Sequence, residues 1–178
     1  MRHGEWLQTF TGRKFWPLDP RPEDVCIDDI AHALSLLCRF GGHCTRFYSV
    51  AEHSIYISQH AGQYALWGLL HDASEAYLID VPRPLKKMLP EYRAAEDRLQ
   101  RVICEAFGLD PEKPENITQL DRAILMDERL HIMAPAPEPW STDVAPLGVK
   151  IGGYMPAVAE IIFLETFHRL DRAGKVLS

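Results

Sequence analysis

Long apolar runs are missing from this sequence. The longest apolar stretch, around residues 65–70, is far shorter than the roughly 20 residues that a membrane-spanning helix needs. The N-terminal segment MRHGEWLQTF is polar and has no apolar core of the kind that marks a secretory signal peptide. We therefore expect neither a membrane span nor export, and we predict a cytoplasmic protein.

Cysteine is scarce, and the chain has no excess of positive charge. The four cysteines form no CxxC pair, so we expect free thiols in a reducing compartment. With 25 acidic against 19 basic side chains, the net charge is −6, and the chain lacks the basic surface that sequence-independent binding of DNA or RNA requires. A nucleic-acid polymer is therefore not an expected partner, whereas a small anionic ligand needs only a few local donors.

The composition that remains is typical of one globular domain. The chain has 178 residues, of which 47% are hydrophobic and 25% are charged. A chain of this length buries a core without help from disulfides or structural metals. We treat residues 1–178 as a single domain, with a non-helical lead-in over residues 1–24 and a proline-rich loop over about residues 134–150.

Helical signals dominate after the lead-in. The pattern Ser49-Val50-Ala51-Glu52 predicts a capping box, in which the serine hydroxyl accepts from the Glu52 amide and the glutamate reaches back. Helices are predicted over about residues 28–39, 49–61, 63–78, 90–107, 115–133 and 156–171. Strand signals are confined to the first 50 residues, where residues 9–16 suit a short hairpin. The predicted fold class is all-α: a helical bundle with a short N-terminal β-hairpin.

Three ionisable side chains interrupt the apolar helix predicted over residues 63–78. His71 and Glu75 lie four residues apart and share a face, and Asp72 lies about 100° round from His71. Buried charges are unfavourable unless they are paired or bind a metal ion. This helix alone leaves two interpretations open: a hydrogen-bonded His71–Asp72 pair with Glu75 at its rim, or a cation bound between the histidine and the aspartate.

Two further polar residues face inward on other predicted helices. His53 lies on the apolar stripe of the capped helix, and Asp121 lies on that of the helix over residues 115–133. Two imidazoles and two carboxylates on three helices suit a borderline divalent cation. We predict one divalent metal ion (Mn, Co, Mg, Zn or Fe) and place Glu75 beside it as a general base. The predicted ligands are His53, His71, Asp72 and Asp121.

The order of these residues resembles the H…HD…D signature of the HD-domain metal-dependent phosphohydrolases, an all-α family. The dense part of the likeness is similar to the 5′-deoxynucleotidase (YfbR-like) branch and comprises residues 71–75 with Asp80, Pro82, Pro84 and Lys86. Residues 38–54 resemble the shorter YfdR-like relatives in particular. The likeness covers about residues 9–132, and the last 45 residues carry no motif that we can place.

The resemblance implies roles residue by residue. It implies the same four metal ligands, and catalytic roles for Glu75, which activates or steers water, and for Asp72. Arg39 matches a phosphate-binding arginine, and Asp80 matches a residue that contacts the sugar. Lys86 and His43 are candidate additional phosphate donors. The alternatives are a solvated helix start for Lys86, a hydrogen-bonded loop position for His43, and a cap on the following turn for Asp80.

The activity that the resemblance implies is hydrolysis of a phosphate ester. The expected enzyme removes the 5′-phosphate of deoxynucleoside monophosphates, so its expected partner is a nucleotide. One alternative is a deoxynucleoside triphosphate hydrolase that releases triphosphate, for which Arg46 or Arg83 would supply further cations. A more remote alternative is a non-catalytic regulatory protein. Phe40 stands where the deoxynucleotidase branch has tryptophan, and a homodimer is expected by resemblance only.

Overall fold

Helix makes up most of the described part of the chain, which comprises residues 2–138, 140 and 144–177 of a computed structural model. A small two-stranded sheet precedes the helices, as predicted. Residues 139 and 141–143 of the predicted proline-rich loop lie outside the described residues. The elements are β1 (Leu7–Gln8), β2 (Lys14–Phe15), α1 (Ile27–Leu36), α2 (Val50–His60), α3 (Ala65–Leu70), α4 (Glu75–Leu78), α5 (Arg83–Lys86), α6 (Pro90–Ala106), α7 (Glu115–Ile132) and α8 (Pro156–Leu177).

The hairpin is attached to the helices at both of its ends. Leu7 pairs with Phe15 across the antiparallel strands, and the fully buried Phe15 ring stacks on Tyr77 with centroids 3.8 Å apart. At the turn, the backbone N–H and the hydroxyl of Thr11 both donate to the buried carboxylate of Asp29. These contacts fix the hairpin against α1 and α4.

Helix α2 lies at the centre of the molecule and packs against α1, α3, α7 and α8. Its residues 50–58 are all buried, including Glu52 and His53. Helix α8 covers the side formed by α1, α2 and α3. It does so with residues spaced by four, because this spacing places them on one helix face; these are Ala159, Phe163 and Phe167. The polar side chains among residues 50–58 of α2 are therefore shielded from bulk water.

The helix predicted over residues 63–78 is interrupted. A 3₁₀ turn at Gly62–Tyr64 leads into α3, and a tight segment with hydrogen bonds between residues i and i+3 separates α3 from α4. The interruption is caused by the side chain of Gln100 on α6. The Gln100 amide donates to the Leu70 carbonyl at 2.8 Å and accepts from the Ser74 N–H at 3.3 Å, and these two groups would otherwise bond each other in a regular helix. A side chain inserted into the ladder in this way breaks a helix.

The first predicted helix is shorter than expected, because the chain turns away to pair with the segment before α2. Val50 N–H donates to the Leu37 carbonyl, and Arg39 N–H donates to the Tyr48 carbonyl. The Arg39–Gly42 segment then forms a 3₁₀ turn in which Phe40 takes a φ of 57°, a left-handed conformation unusual for a residue with a side chain. This turn places Arg39 next to α2.

Helices α6 and α7 match their predictions, and α8 extends past residue 171, where its predicted end lay. Gly108 follows α6 with a φ of 66°, as a C-terminal glycine should. Among the residues described, no helix has both the length and the apolar character that crossing a bilayer would need.

Only half of the predicted capping box forms. The Ser49 hydroxyl accepts from the Glu52 N–H at 3.1 Å, as predicted. The Glu52 carboxylate does not reach back; it accepts instead from the N–H groups of Gly152, Gly153 and Tyr154 at 2.7–3.0 Å. A carboxylate that is fully buried binds three backbone donors more favourably than one local amide. The segment over residues 152–154 is therefore attached directly to α2.

Candidate metal centre

Two imidazoles and two carboxylates meet where α2, the segment between α3 and α4, and α7 approach one another. His53 Nε2 lies 3.2 Å from His71 Nε2 and 3.3 Å from Asp121 Oδ1. The ligand atoms of these three residues all lie within 4.8 Å of one another. Asp72 Oδ2 lies 3.1 Å from His71 Nε2 and 3.7 Å from His53 Nε2. The structure thus brings together all four residues predicted as metal ligands.

The hydrogen bonds of the two histidines determine which nitrogens are free to bind a cation. His53 Nδ1 lies 2.8 Å from Glu128 Oε1. His71 Nδ1 lies 2.8 Å from the Gly68 carbonyl oxygen. Because carboxylate and carbonyl oxygens only accept, each Nδ1 of a neutral imidazole donates its proton, and each Nε2 keeps a lone pair. Two nitrogen lone pairs and two carboxylates therefore face one another.

This donor set fits a divalent metal ion. Ligand atoms that lie about 2.0–2.2 Å from a cation stand about 3.0–3.5 Å from one another. The contacts of 3.1–3.7 Å among the four residues are close to that spacing. Mixed nitrogen and oxygen ligands suit borderline divalent ions, and an outer hydrogen bond on each Nδ1 is the usual support for an imidazole that binds metal.

The pKa shifts of the clustered side chains also indicate that the cluster favours positive charge. Burial and Arg39 lower the pKa of His53, but Glu128 and Asp121 outweigh both and raise it to about 9. Burial raises the pKa of Asp72, yet the two imidazoles prevail and hold this pKa well below its ordinary value. Burial raises the pKa of Asp121, but the hydrogen bond and electrostatic interaction with His53, together with the interaction with His71, outweigh burial and lower it. A cation between these groups would replace the proton that His53 otherwise retains.

The cluster is open to solvent on the side of α7. The His53 side chain is fully buried, whereas the Asp121 side chain is 41% exposed and that of Asp72 is 22% exposed. A ligand from solvent therefore approaches along the carboxylates, and the imidazoles form the floor of the site.

Glu128 is a member of the site that the sequence did not identify. Its fully buried carboxylate binds His53 Nδ1 and accepts from Arg39 Nη2 at 3.2 Å. Burial raises the pKa of Glu128, but Arg39 and His53 outweigh burial and lower it. Glu128 shares the stripe of α7 with Asp121, seven residues earlier, so its position was visible. The sequence does not show that His53 and Arg39, on other segments, are its partners.

Arg39, the predicted phosphate-binding residue, lies at the edge of the cluster. Its guanidinium is held by Glu128 on one side, and its Nη1 lies 3.7 Å from Asp72 Oδ2 on the other. Burial lowers the pKa of Arg39, but the surrounding acidic groups, Glu128 foremost, together outweigh burial and raise it. The guanidinium is thus fixed and charged, with one nitrogen directed toward the carboxylate of a candidate metal ligand.

Glu75 lies beside the cluster with an unusual environment for a carboxyl group. Its side chain is 5% exposed, Oε1 accepts from Lys86 Nζ at 3.3 Å, and Oε2 is buried without a hydrogen-bond partner. Burial and the neighbouring carboxylates of Asp72 and Asp80 raise the pKa of Glu75 well above its ordinary value. A carboxyl group with a raised pKa is suited to exchange protons near neutral pH.

Lys86 is not a solvated helix start. Its ammonium group lies between two carboxylates, 3.3 Å from Glu75 Oε1 and 2.7 Å from Glu96 Oε1. Burial lowers the pKa of Lys86, but Glu75 and Glu96 outweigh it and raise the pKa. Glu96 is a further residue of this ion-pair network that the sequence pattern does not reveal.

Asp80 and His43 differ in their relation to the cluster. Asp80 is half-buried, and the charged groups that act on it include Arg39, Asp72, Lys86 and His53. Burial raises the pKa of Asp80. His43 is exposed and ends the 3₁₀ turn that carries Arg39, where its N–H donates to the Phe40 carbonyl. The structure places Asp80 among the site charges and His43 on the surface of the adjacent turn.

Two cysteines support the turn that carries Arg39. All four cysteines are free, as expected. The Cys44 thiol donates to the Arg39 carbonyl at 3.3 Å and lies within hydrogen-bond range of Cys38. Burial and the Cys38 thiol raise the pKa of Cys44 to about 12, so Cys44 is a neutral donor at physiological pH.

Comparison with known proteins places the chain in a family without assigning an activity. No protein-family model matches the sequence. It is 36% identical over 169 residues to the uncharacterized protein YfdR of Escherichia coli strain K12, a match that covers 94% of this chain and 86% of YfdR. It is 35% identical over 129 residues to the uncharacterized protein RCAP_rcc00048 of Rhodobacter capsulatus, covering 66% of each chain. This helical protein with a candidate metal centre therefore belongs to the family of YfdR.

Proposed function

We propose that this protein is a metal-dependent phosphohydrolase of the HD-domain type that removes the 5′-phosphate from deoxynucleoside monophosphates. The observation that carries the proposal is a cluster of four acceptor groups beside a buried carboxyl group with an unpartnered oxygen. The cluster has the composition of a metal site, and the carboxyl group has the environment of an acid–base catalyst. Arg39 lies next to the cluster, and Lys86 binds the Glu75 carboxyl group.

His53, His71, Asp72 and Asp121 would hold the metal ion. When bound, such an ion lowers the pKa of a water molecule toward about 7 and polarises a phosphoryl oxygen. Two neutral imidazoles and two carboxylates give the ligand set a charge that balances a divalent cation. Glu128 and the Gly68 carbonyl would keep the two imidazoles in the tautomer that presents Nε2.

Glu75 would transfer protons in this scheme. Its carboxyl group accepts a proton from the attacking water and returns one to the leaving oxygen, for which a raised pKa is favourable. Lys86 holds Oε1, so Oε2 is the oxygen free to exchange the proton. The burial of this carboxyl group also keeps bulk water from competing for it.

Arg39 would orient the phosphate. A guanidinium presents its donors in a planar fork that matches phosphate oxygens. Glu128 binds one edge of the Arg39 guanidinium, which leaves Nη1, next to Asp72, as the donor nearest the metal ligands. The ion pair with Glu128 fixes the guanidinium before a substrate arrives.

The distribution of cations favours a monophosphate over a triphosphate. Lys86 already binds two carboxylates, and Arg46 donates to the Ile151 carbonyl at 2.8 Å. A triphosphate would need further cations of this kind; Lys86 and Arg46 already have partners within the protein, and Arg83 is exposed on α5. Arg39 alone is sufficient to orient one phosphate group.

A product screen tests the proposal. Purified protein is loaded separately with Mn²⁺, Co²⁺, Mg²⁺ or Zn²⁺ and incubated with each ribo- and deoxynucleoside mono- and triphosphate. We expect inorganic phosphate from deoxynucleoside monophosphates. Release of inorganic triphosphate would instead identify a deoxynucleoside triphosphate hydrolase, and absence of turnover with stoichiometric bound metal would support a regulatory protein.

A further inference from the structure

One residue next to the site has a strained backbone. Ile79 ends α4 with a φ of 76° and a ψ of 150°, a region of backbone space that is occupied almost only by glycine. The residue is 59% exposed, so burial of the isoleucine does not compensate for the strain. Other contacts must hold this conformation.

Tyr92 on α6 supplies such a contact. Its hydroxyl lies 2.6 Å from the Ile79 carbonyl oxygen and 3.3 Å from that of Leu78, so it donates chiefly to Ile79. A second bond comes from the other side of the residue, where the Ile79 N–H donates to the Glu75 carbonyl at 2.8 Å. The peptide units on both sides of Ile79 are thereby fixed.

Tyr92 belongs to a polar stripe on α6 whose side chains bind the segment over residues 70–86. Residues 92, 96 and 100 are spaced by four and share one face of the helix. Gln100 binds the interrupted ladder between Leu70 and Ser74, and Glu96 binds Lys86, which binds Glu75. Each member of the stripe therefore contacts the segment over residues 70–86, and Tyr92 contacts the point from which Asp80 projects.

The strained residue decides where Asp80 lies. With an ordinary negative φ at position 79, the chain after α4 would leave in another direction. The left-handed conformation instead brings the half-buried Asp80 into the field of Arg39, Asp72 and His53. A carboxylate in this position can accept a hydrogen bond from a sugar hydroxyl of a substrate whose phosphate lies on the metal centre.

We propose that Tyr92 is a positioning residue that holds Ile79 in its left-handed conformation, fixes the direction of the Asp80 carboxylate that follows it, and thereby sets the selectivity for the sugar. The part that concerns selectivity rests on the proposed function. The part that concerns the position of Asp80 does not, and the two parts have separate tests.

The structural test compares crystal structures of the wild-type protein and Tyr92→Phe, a variant that removes only the hydroxyl. We expect Ile79 to return to a negative φ and the Asp80 carboxylate to move by about 1 Å or more. Ile79→Gly should raise the melting temperature by about 2–4 °C, because glycine adopts the conformation without strain. An unchanged φ at Ile79 and an unmoved Asp80 in Tyr92→Phe would overturn the proposal, whatever the activity of the protein.

The kinetic test measures kcat/KM for dAMP and AMP. In Tyr92→Phe the preference for dAMP should fall about three- to tenfold, the scale of one hydrogen bond. The rate on p-nitrophenyl phosphate, which has no sugar, measures any change in the chemistry of Glu75, whose pKa Asp80 helps to raise; such a change is common to all three substrates and cancels in the ratio of dAMP to AMP. Ile79→Gly should restore much of the lost preference in the double variant, because the conformation then needs no hydroxyl to hold it.

Tyr64→Phe, a change at an exposed tyrosine outside the stripe, is the matched control and should leave the preference unchanged. A proportional loss on dAMP, AMP and p-nitrophenyl phosphate, or no rescue by Ile79→Gly, would contradict the selectivity role. If the wild-type protein hydrolyses no nucleotide, the proposed function fails, and the comparison of crystal structures still decides whether Tyr92 positions Asp80.

Discussion

Helices α2 and α7 each place two neighbouring residues in two different buried clusters. Glu52 and Asp127 bind the loop over residues 147–154, and His53 and Glu128 belong to the candidate metal centre. In the first cluster each carboxylate accepts from three backbone N–H groups. In the candidate metal centre, Glu128 accepts from His53 and Arg39, whereas the carboxylates of Asp72 and Asp121 face the Nε2 atoms of the two histidines and no backbone donors. The presence of buried acids is therefore common to both regions, and the supply of donors distinguishes an anchor from a site.

The largest expected effect is loss of metal binding, and two aspartates of α7 compare the candidate metal centre with the loop-binding cluster. Asp121→Ala removes a candidate ligand, so we expect divalent affinity to fall by more than about 100-fold and activity to be lost, with the helical content retained. Elemental analysis, calorimetry and circular dichroism measure these quantities. Asp127→Ala is the matched variant on α7: it should keep the metal and lose stability. Full metal occupancy in Asp121→Ala would remove this residue from the ligand set.

The second expected effect separates metal binding from chemistry. Glu75→Ala should retain the metal ion, because Glu75 is not a proposed ligand, and should lower kcat by roughly 10²–10⁴-fold, the scale of a positioned acid–base group. Glu91→Ala, at an exposed position on α6, serves as the control. Metal content and single-turnover rates are measured on the same preparations. A near-normal kcat would reduce Glu75 to a structural residue, and loss of the metal would make it a ligand.

The third expected effect concerns the hydrogen bonds by which Glu52 holds the loop over residues 147–154. Glu52→Gln should reduce the free energy of unfolding by about 2–4 kcal/mol, because an amide offers one oxygen where the carboxylate offers two and brings an N–H₂ against the loop donors. Urea denaturation measures the loss, and metal stoichiometry should be unchanged. Ser49→Ala, which removes only the helix cap, should lose about 1 kcal/mol. Equal losses in the two variants would show that Glu52 acts as a local capping residue after all.

The smallest expected effect is a gain in stability at the site. Because the pKa of Glu75 is raised in the folded state, the folded protein holds this proton more tightly than the unfolded chain. Wild-type stability should therefore fall, relative to Glu75→Gln, as pH rises from about 4.5 through the raised pKa. In EDTA at pH 8 we expect the variant to be about 1–3 kcal/mol more stable, and equal to wild type below pH 4. A variant that is less stable at pH 8 would show that Lys86 compensates the ionised carboxylate fully.

Local signals in the sequence were sufficient for α2, α6 and α7 and for the inward-facing polar residues among the candidate ligands. Pro90 and Gly108 mark the ends of α6 by their fixed or permissive backbone angles, which depend on no distant contact. His53, His71 and Asp121 were recognisable because each interrupts an apolar stripe, and a polar residue on such a stripe must find a partner inside the protein.

Errors arose where a distant side chain competes with a local bond. Ser49 and Glu52 form the capping pattern, but the Glu52 carboxylate binds residues about a hundred positions later. The helix over residues 63–78 was predicted as continuous because its sequence contains no proline and its one internal glycine, Gly68, is tolerated inside a helix. The interruption comes from Gln100, which replaces the hydrogen bond between Ser74 and Leu70.

The sequence by itself determined most of the helical segments and marked His53, His71 and Asp121 as inward-facing, because helical periodicity and the unfavourable burial of charge act residue by residue. Only the tertiary structure decided what those polar groups bind. Glu52 found backbone donors, Glu128 found His53 and Arg39, and Ile79 found Tyr92. Each of these pairings depends on which segments meet in space. Hydrogen bonds form only at distances of about 3 Å, and a sequence pattern does not specify the distances between segments far apart along the chain.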